Sequence, residues 1–190
     1  MKTERGWREM LCVVTGGSGS GKSEFAEKWL VVHDDTGGAR YYIATMKPFG
    51  KEAEKRIARH RRQRQGRGFT TIEQYLDLEK VPVEPGASVL LECMSNLVAN
   101  EMFEDDGSHD KLVTAIEAGI NHLLARAKHV VVVTNEVFSD GEAYDASSMQ
   151  YLAYLGEVNR MLAKKADLVV EVVYSIPVIL KGTEDVWTLS

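Results

Sequence analysis

Gly16-Gly17-Ser18-Gly19-Ser20-Gly21-Lys22-Ser23 is the stretch whose residue types and spacing most clearly specify a chemistry. A glycine, four free positions and then Gly-Lys-Ser follow the apolar run Met10 to Val14 and open an apparent helix, Ser23 to Val32. Glycines let a backbone take positive φ and turn its N–H groups inward around an anion. The N-terminus of the next helix adds unpaired N–H groups and a partial positive charge. In such a phosphate-binding loop, Lys22 reaches the β- and γ-phosphates of a nucleotide and the Ser23 hydroxyl sits on Mg2+. A Gly/Ser-rich surface turn is the plainer alternative, and the strand–loop–helix context argues against it. Nucleotide binding is the expectation.

Glu92 closes the apolar run Ser88-Val89-Leu90-Leu91 and stands where such sites keep a metal-holding carboxylate. It would hold Mg2+ with Ser23; the competing use is a strand-end acid capping the next helix. Glu136 follows another apolar run, Val130 to Thr134. It could take a proton from a substrate hydroxyl, orient a substrate group, or be a plain loop acid. No Asn-Lys-x-Asp motif follows, so the residues alone do not choose GTP over ATP.

The third feature is basic. Residues 51–67 hold eight Lys/Arg against two Glu, a net +6 that leaves −11 on the rest of a chain of net charge −5. Arg56 and His60 share a helical face at i, i+4, with Arg59, Arg61 and Arg62 beside them. Nearby positive charge favours neutral imidazole, which is a nucleophile, while the arginines could neutralise phosphate oxygens. A solvated helix and a nucleic-acid patch are the rival readings. The net charge and the lack of aromatic residues in this segment count against the nucleic-acid patch.

The elements that must position these residues alternate strand and helix. Strands are expected at Met10–Thr15, Arg40–Ala44, Thr70–Glu73, Ser88–Glu92, Val130–Thr134, Leu168–Val173 and Val178–Lys181. Helices are expected at Lys51–Arg64, Met94–Phe103, His109–Ala127 and Ser147–Ala166, besides the one after the loop, with an acidic solvated connector at Glu104–Ser108. This is an α/β pattern: a mainly parallel sheet with helices on both faces, of the P-loop NTPase type. Ligands of such sheets bind beyond the C-terminal strand ends, which is where the loop, Thr45, Glu92 and Asn135-Glu136 fall.

With 190 residues, 44% hydrophobic and 27% charged, one globular domain over residues 1–190 is expected, with residues 1–9 as a flexible extension. No run is long enough to span a membrane and no signal-peptide core opens the chain. Cys12 and Cys93 lie in apolar runs without metal-ligand spacing, which fits burial in a reducing cytoplasm.

Thr15 to Ser23, Tyr42-Ile43-Ala44-Thr45, Arg56-Ile57-Ala58-Arg59-His60-Arg61, Leu91-Glu92-Cys93 and Val133-Thr134-Asn135-Glu136-Val137 occur in that order. Together they resemble the bifunctional adenosylcobinamide kinase/adenosylcobinamide-phosphate guanylyltransferase family of cobalamin biosynthesis, over roughly residues 10–182. The resemblance implies two reactions at one nucleotide site. One phosphorylates the aminopropanol hydroxyl of adenosylcobinamide with ATP or GTP. The other moves GMP from GTP, through a GMP–histidine at the position of His60, to adenosylcobinamide phosphate. It also implies that Gly16 to Ser23, Ala44, Thr45, Met46, Arg61, Glu73 and Glu92 surround the nucleotide, with Mg2+ as cofactor. Its partners are the nucleotide and the corrinoid, and it implies a homo-oligomer, with a trimer as the expected form. The chain departs from the family pattern at Gly19, where Arg is common, and around Ala143–Ala146 and Gln150–Leu152, which bears on the corrinoid contacts. A simple small-molecule kinase with the basic helix as a lid is the alternative.

Overall fold

The computed structural model describes residues 10–34, 37–51, 55, 57–58, 62, 66–136 and 145–183. The expected N-terminal extension, and His60 with Arg56, Arg59 and Arg61, lie outside the described residues. Within the basic segment, residues 51, 55, 57–58 and 62 are helical and residues 66–67 are not.

Seven strands form one sheet: β1 (Met10–Thr15), β2 (Arg40–Ala44), β3 (Phe69–Glu73), β4 (Ser88–Glu92), β5 (His129–Val133), β6 (Leu168–Val173) and β7 (Ile176–Lys181). Their order is β3-β2-β4-β5-β1-β6-β7, all neighbours parallel except β6 and β7. Among the described residues, the helices that cover it and are described from end to end are α1 (Lys22–His33), α2 (Met94–Phe103), α3 (Leu112–Arg126) and α4 (Ala146–Lys165). The sheet follows from the sequence pattern. A strand such as His129–Val133, buried at every position, needs cover on both faces, and parallel connections supply it.

Alternation divides the core in two. Leu11, Val13, Ile43, Leu91, Val130 and Val132 pack toward α2, α3 and α4. Cys12, Val14, Leu90, Val131 and Val133 pack toward Phe25, Ala26, Trp29 and Leu30 of α1. The expected fold is the observed one, with differences at the ends. α3 begins at Leu112, because His109 takes φ +50° and His109–Lys111 form a separate 3-10 turn. β7 begins at Ile176, two residues early, since it leaves β6 through a two-residue turn. α4 begins at Ala146, its N-terminus capped by the Asp145 carboxylate accepting from the Ser148 N–H at 2.7 Å.

The acidic connector is better anchored than a solvated loop. Buried Glu101 accepts from the Ser108 N–H (3.0 Å) and hydroxyl (2.6 Å) and from the Asp77 N–H (2.9 Å). Glu104 pairs with Lys47 at 2.8 Å, tying this loop to the strand-end segment after β2.

Candidate active site

Register brings the candidate residues to one edge of the sheet. Ala44, Glu92, Val133 and Val14 are level across β2, β4, β5 and β1, and the phosphate-binding loop rises immediately beyond β1. β5 therefore separates the loop's strand from that of Glu92. α1 bridges the gap by crossing beneath β5 and β4.

Two glycines of the loop are required by geometry. Gly16 has φ +149° and Gly21 φ +93°; a Cβ would lie 2.5 Å from the Val172 carbonyl oxygen at the first and 2.7 Å from Ser175 Oγ at the second. The loop is thus seated against the β6–β7 turn, and the Ser175 N–H donates to the Ser20 carbonyl at 2.8 Å. On its other side the Glu136 N–H donates to the Gly16 carbonyl at 3.3 Å. Gly17, Ser18 and Gly19 are exposed. Lys22 is buried, and its ammonium donates to the Gly17 carbonyl at 2.8 Å, within the ring that a phosphate would fill.

Ser23, on the first turn of α1, donates its hydroxyl to Glu92 Oε1. Glu92 Oε2 accepts from the Tyr42 hydroxyl at 3.1 Å. A hydroxyl and a carboxylate held together beside a phosphate loop are the hard oxygen ligands that Mg2+ takes, the rest coming from water and substrate phosphates. Among the described residues no group of three or more His, Cys, Asp or Glu gathers to hold a metal unaided. The pair fits an ion shared with a nucleotide.

Beneath Glu92, the peptide to Cys93 is cis. Thr45 is fully buried; its hydroxyl donates to the Cys93 carbonyl and accepts from the Cys93 N–H, both at 2.8 Å. Thr45 therefore splices the ends of β2 and β4. Ala44 and Met46 flank it, half-buried. Burial pushes the Cys93 thiol up, only partly offset by its contact with Ser95, so it is protonated at neutral pH and no nucleophile. Asn135 donates to Ser95 Oγ at 2.5 Å, and Tyr151, its phenol pushed up to about 12 by burial, donates to the Ser95 carbonyl at 3.3 Å.

Glu73 lies at the outer margin of this group, beside Ala44 and away from the phosphate loop. It is level with Ala44 on the edge strand β3, four strands from β1, or about 19 Å at ordinary strand spacing. Its carboxylate accepts from Tyr75 at 2.9 Å.

The basic segment is fastened at both roots. Lys47, before it, pairs with Glu104 and stands 5.9 Å above the Tyr75 ring. Arg67, after it, pairs at 2.7 Å with Glu27, a carboxylate buried in α1 one turn beyond Ser23. Sequence reasoning missed Tyr42, Ser95, Asn100 and Tyr151. The Asn100 amide donates to the Thr45 and Tyr75 carbonyls, both at 2.9 Å. Of these only Tyr42 had a signal: a phenol inside a buried strand needs a partner for its hydroxyl.

A sequence profile described as cobinamide kinase / cobinamide phosphate guanyltransferase matches residues 12–180. The chain belongs to that family. The family is one of enzymes, and this chain is one of them. The bifunctional adenosylcobalamin biosynthesis proteins CobU of Escherichia coli K12 and of Salmonella typhimurium LT2 are each 32% identical, over 90% of this chain and 100% of theirs. The corresponding CobP of Pseudomonas aeruginosa is 28% identical over 91% of this chain and 98% of its own length. Among solved structures, an ATPase domain shares the fold, with a TM-score of 0.53, 12% identity, and coverage of 94% of this chain and 79% of that one.

Proposed function

We propose that this enzyme phosphorylates adenosylcobinamide with ATP or GTP and then transfers GMP from GTP to adenosylcobinamide phosphate. The observation that carries the nucleotide chemistry is the contact of Ser23 with Glu92 beside a loop whose Gly16 and Gly21 have no room for a side chain. The amides of Gly16 to Ser23 hold the phosphate chain, and Lys22 exchanges the Gly17 carbonyl for a phosphate oxygen. Ser23 and Glu92 would hold Mg2+, which supplies charge neutralisation on the phosphates. Glu136, hydrogen-bonded through its backbone to the start of the loop, takes the proton from the aminopropanol hydroxyl or orients it.

In the second reaction the His60 imidazole attacks the α-phosphorus of GTP. A P–N bond forms, and the bond to the bridging oxygen breaks, with its electron pair leaving on pyrophosphate. An oxygen of adenosylcobinamide phosphate then attacks the same phosphorus and the P–N bond breaks, returning the imidazole. Arg61 and its neighbours neutralise the phosphate oxygens during both attacks. Reach supports this role, because Arg67 is anchored to Glu27 one turn from Ser23, and seven residues extend at most about 25 Å. Ala44, Met46 and Glu73 contact the nucleotide at the strand ends.

The proposal further includes a single domain spanning residues 1–190, a cytoplasmic setting, no nucleic-acid partner, and a homo-oligomer of trimeric form. No helix among the described residues is long and apolar enough to cross a membrane. Mass analysis of adenosylcobinamide incubated with the enzyme, Mg2+ and GTP tests the reading. Successive gain of one phosphate and then one GMP is expected; an unmodified corrinoid in the presence of bound nucleotide refutes it.

A further inference from the structure

One side chain of α4 grips both residues that precede Glu136. The Thr134 hydroxyl, on a residue only 1% exposed, donates to Asn159 Oδ1 at 2.7 Å, and Asn159 Nδ2 donates to the Asn135 carbonyl at 3.5 Å. Two more bonds complete the hold. The Thr134 N–H donates to the Val14 carbonyl at 2.9 Å, and the Asn135 amide donates to Ser95 Oγ at 2.5 Å. β1, α2 and α4 thus each fasten the chain just beyond Val133, the last paired residue of β5. Glu136 follows directly, with its N–H on the Gly16 carbonyl at the start of the phosphate loop. Packing does not require an asparagine here. Asn159 flanks the buried stripe Leu155, Val158 and Leu162 of α4, where leucine is a better helix former and would serve the core as well.

Strand pairing no longer holds the backbone where Glu136 stands, yet a general base must lie within hydrogen-bond reach of the proton it takes. We propose that Asn159 is a positioning residue for the phosphoryl-transfer step. Its carboxamide, acting through Thr134 and Asn135, fixes the backbone from which Glu136 meets the acceptor hydroxyl beside the phosphate loop. The inference rests on the proposed role of Glu136 at that hydroxyl. An amide suits the task because it sets an acceptor and a donor side by side. Oδ1 takes the Thr134 hydroxyl while Nδ2 gives to the next residue's carbonyl. Aspartate matches only the first of these, and leucine matches neither.

Steady-state phosphorylation of adenosylcobinamide by ATP, set beside calorimetric ATP affinity, tests this. Asn159→Leu and Thr134→Val are each expected to lower kcat by about ten- to a hundredfold, the effect of misplacing a reacting group by about 1 Å. ATP affinity and the KM for the corrinoid should stay within about twofold of wild type. Thr134→Ser, which keeps the hydroxyl, should restore the rate that Thr134→Val loses. The double variant should lose no more than either single one, because both cut the same link. Should Asn159→Leu not fold, Thr134→Val and its serine rescue decide alone. Loss of ATP affinity in parallel with kcat assigns both side chains to holding the fold and overturns the inference, as does an unchanged kcat in Thr134→Val. Glu136→Ala separates that failure from failure of the reading beneath it. A wild-type kcat there removes Glu136 from the reaction, and the positioning role of Asn159 with it.

Discussion

Ser23 and Glu92 meet across 69 residues of chain, the hydroxyl donating to a carboxylate that the Tyr42 phenol braces from the other side at 3.1 Å. Neither residue could do this from its own strand or helix. The contact exists because α1 crosses beneath β5 to reach the end of β4. Glu92→Gln keeps the shape and removes the charge. It is expected to raise the Mg2+ needed for half-maximal phosphorylation by about ten- to a hundredfold. Tyr42→Phe should move the requirement in the same direction by less. A Mg2+ titration of the kinase rate checks both.

Gly119 illustrates a constraint set by packing alone. A Cβ at this α3 position would collide with Leu78 Cβ, inside the contact between the helix and the Leu78–Lys80 turn. Gly119→Ala adds helix propensity of about 1 kcal/mol yet overpacks the core. The expected outcome is a net loss of about 1–3 kcal/mol in urea unfolding, with the slope of the transition unchanged.

His33 gives the fold a pH dependence on the acid side. Its ring stacks on Trp29 at 4.2 Å between centroids, and Nδ1 donates to the Trp29 carbonyl at 2.8 Å. Burial holds its pKa below the ordinary 6.5, so the unfolded chain takes up the proton first. Stability from this residue is complete above about pH 6.5 and is lost as pH falls toward the lower folded value. The difference in urea midpoint between wild type and His33→Gln, measured from pH 5 to 8, should depend on pH only in the acid half. A difference that is constant with pH contradicts this account.

The fold was legible because its signals are local. A phosphate loop between an apolar strand and a helix, and five-residue apolar strands such as Ser88–Glu92, fix element type without tertiary information. The position of Glu92 beside Ser23 was expected from strand-end placement, whereas its Tyr42 brace was not, because which strands are neighbours depends on the whole sheet. The turn at Tyr174 was unreadable for the opposite reason. Nothing in Val-Tyr-Ser-Ile announces a two-residue turn, since Asn or Gly is absent; only its seating against the loop imposes positive φ. The Glu27–Arg67 and Lys47–Glu104 anchors join distant segments and have no sequence signature at all.

The central claim is that one nucleotide site yields its γ-phosphate to one acceptor and its α-phosphate to another, the second through His60. Incubating the enzyme with α-labelled GTP and Mg2+, then denaturing it, tests this most directly. The account predicts label on the protein that is acid-labile and base-stable, as a phosphoramidate is, and that vanishes in His60→Ala while GTP still binds. Lys22→Ala should weaken labelling and phosphorylation together. Wild-type protein that binds GTP yet carries no α-label, or label that persists in His60→Ala, would contradict it.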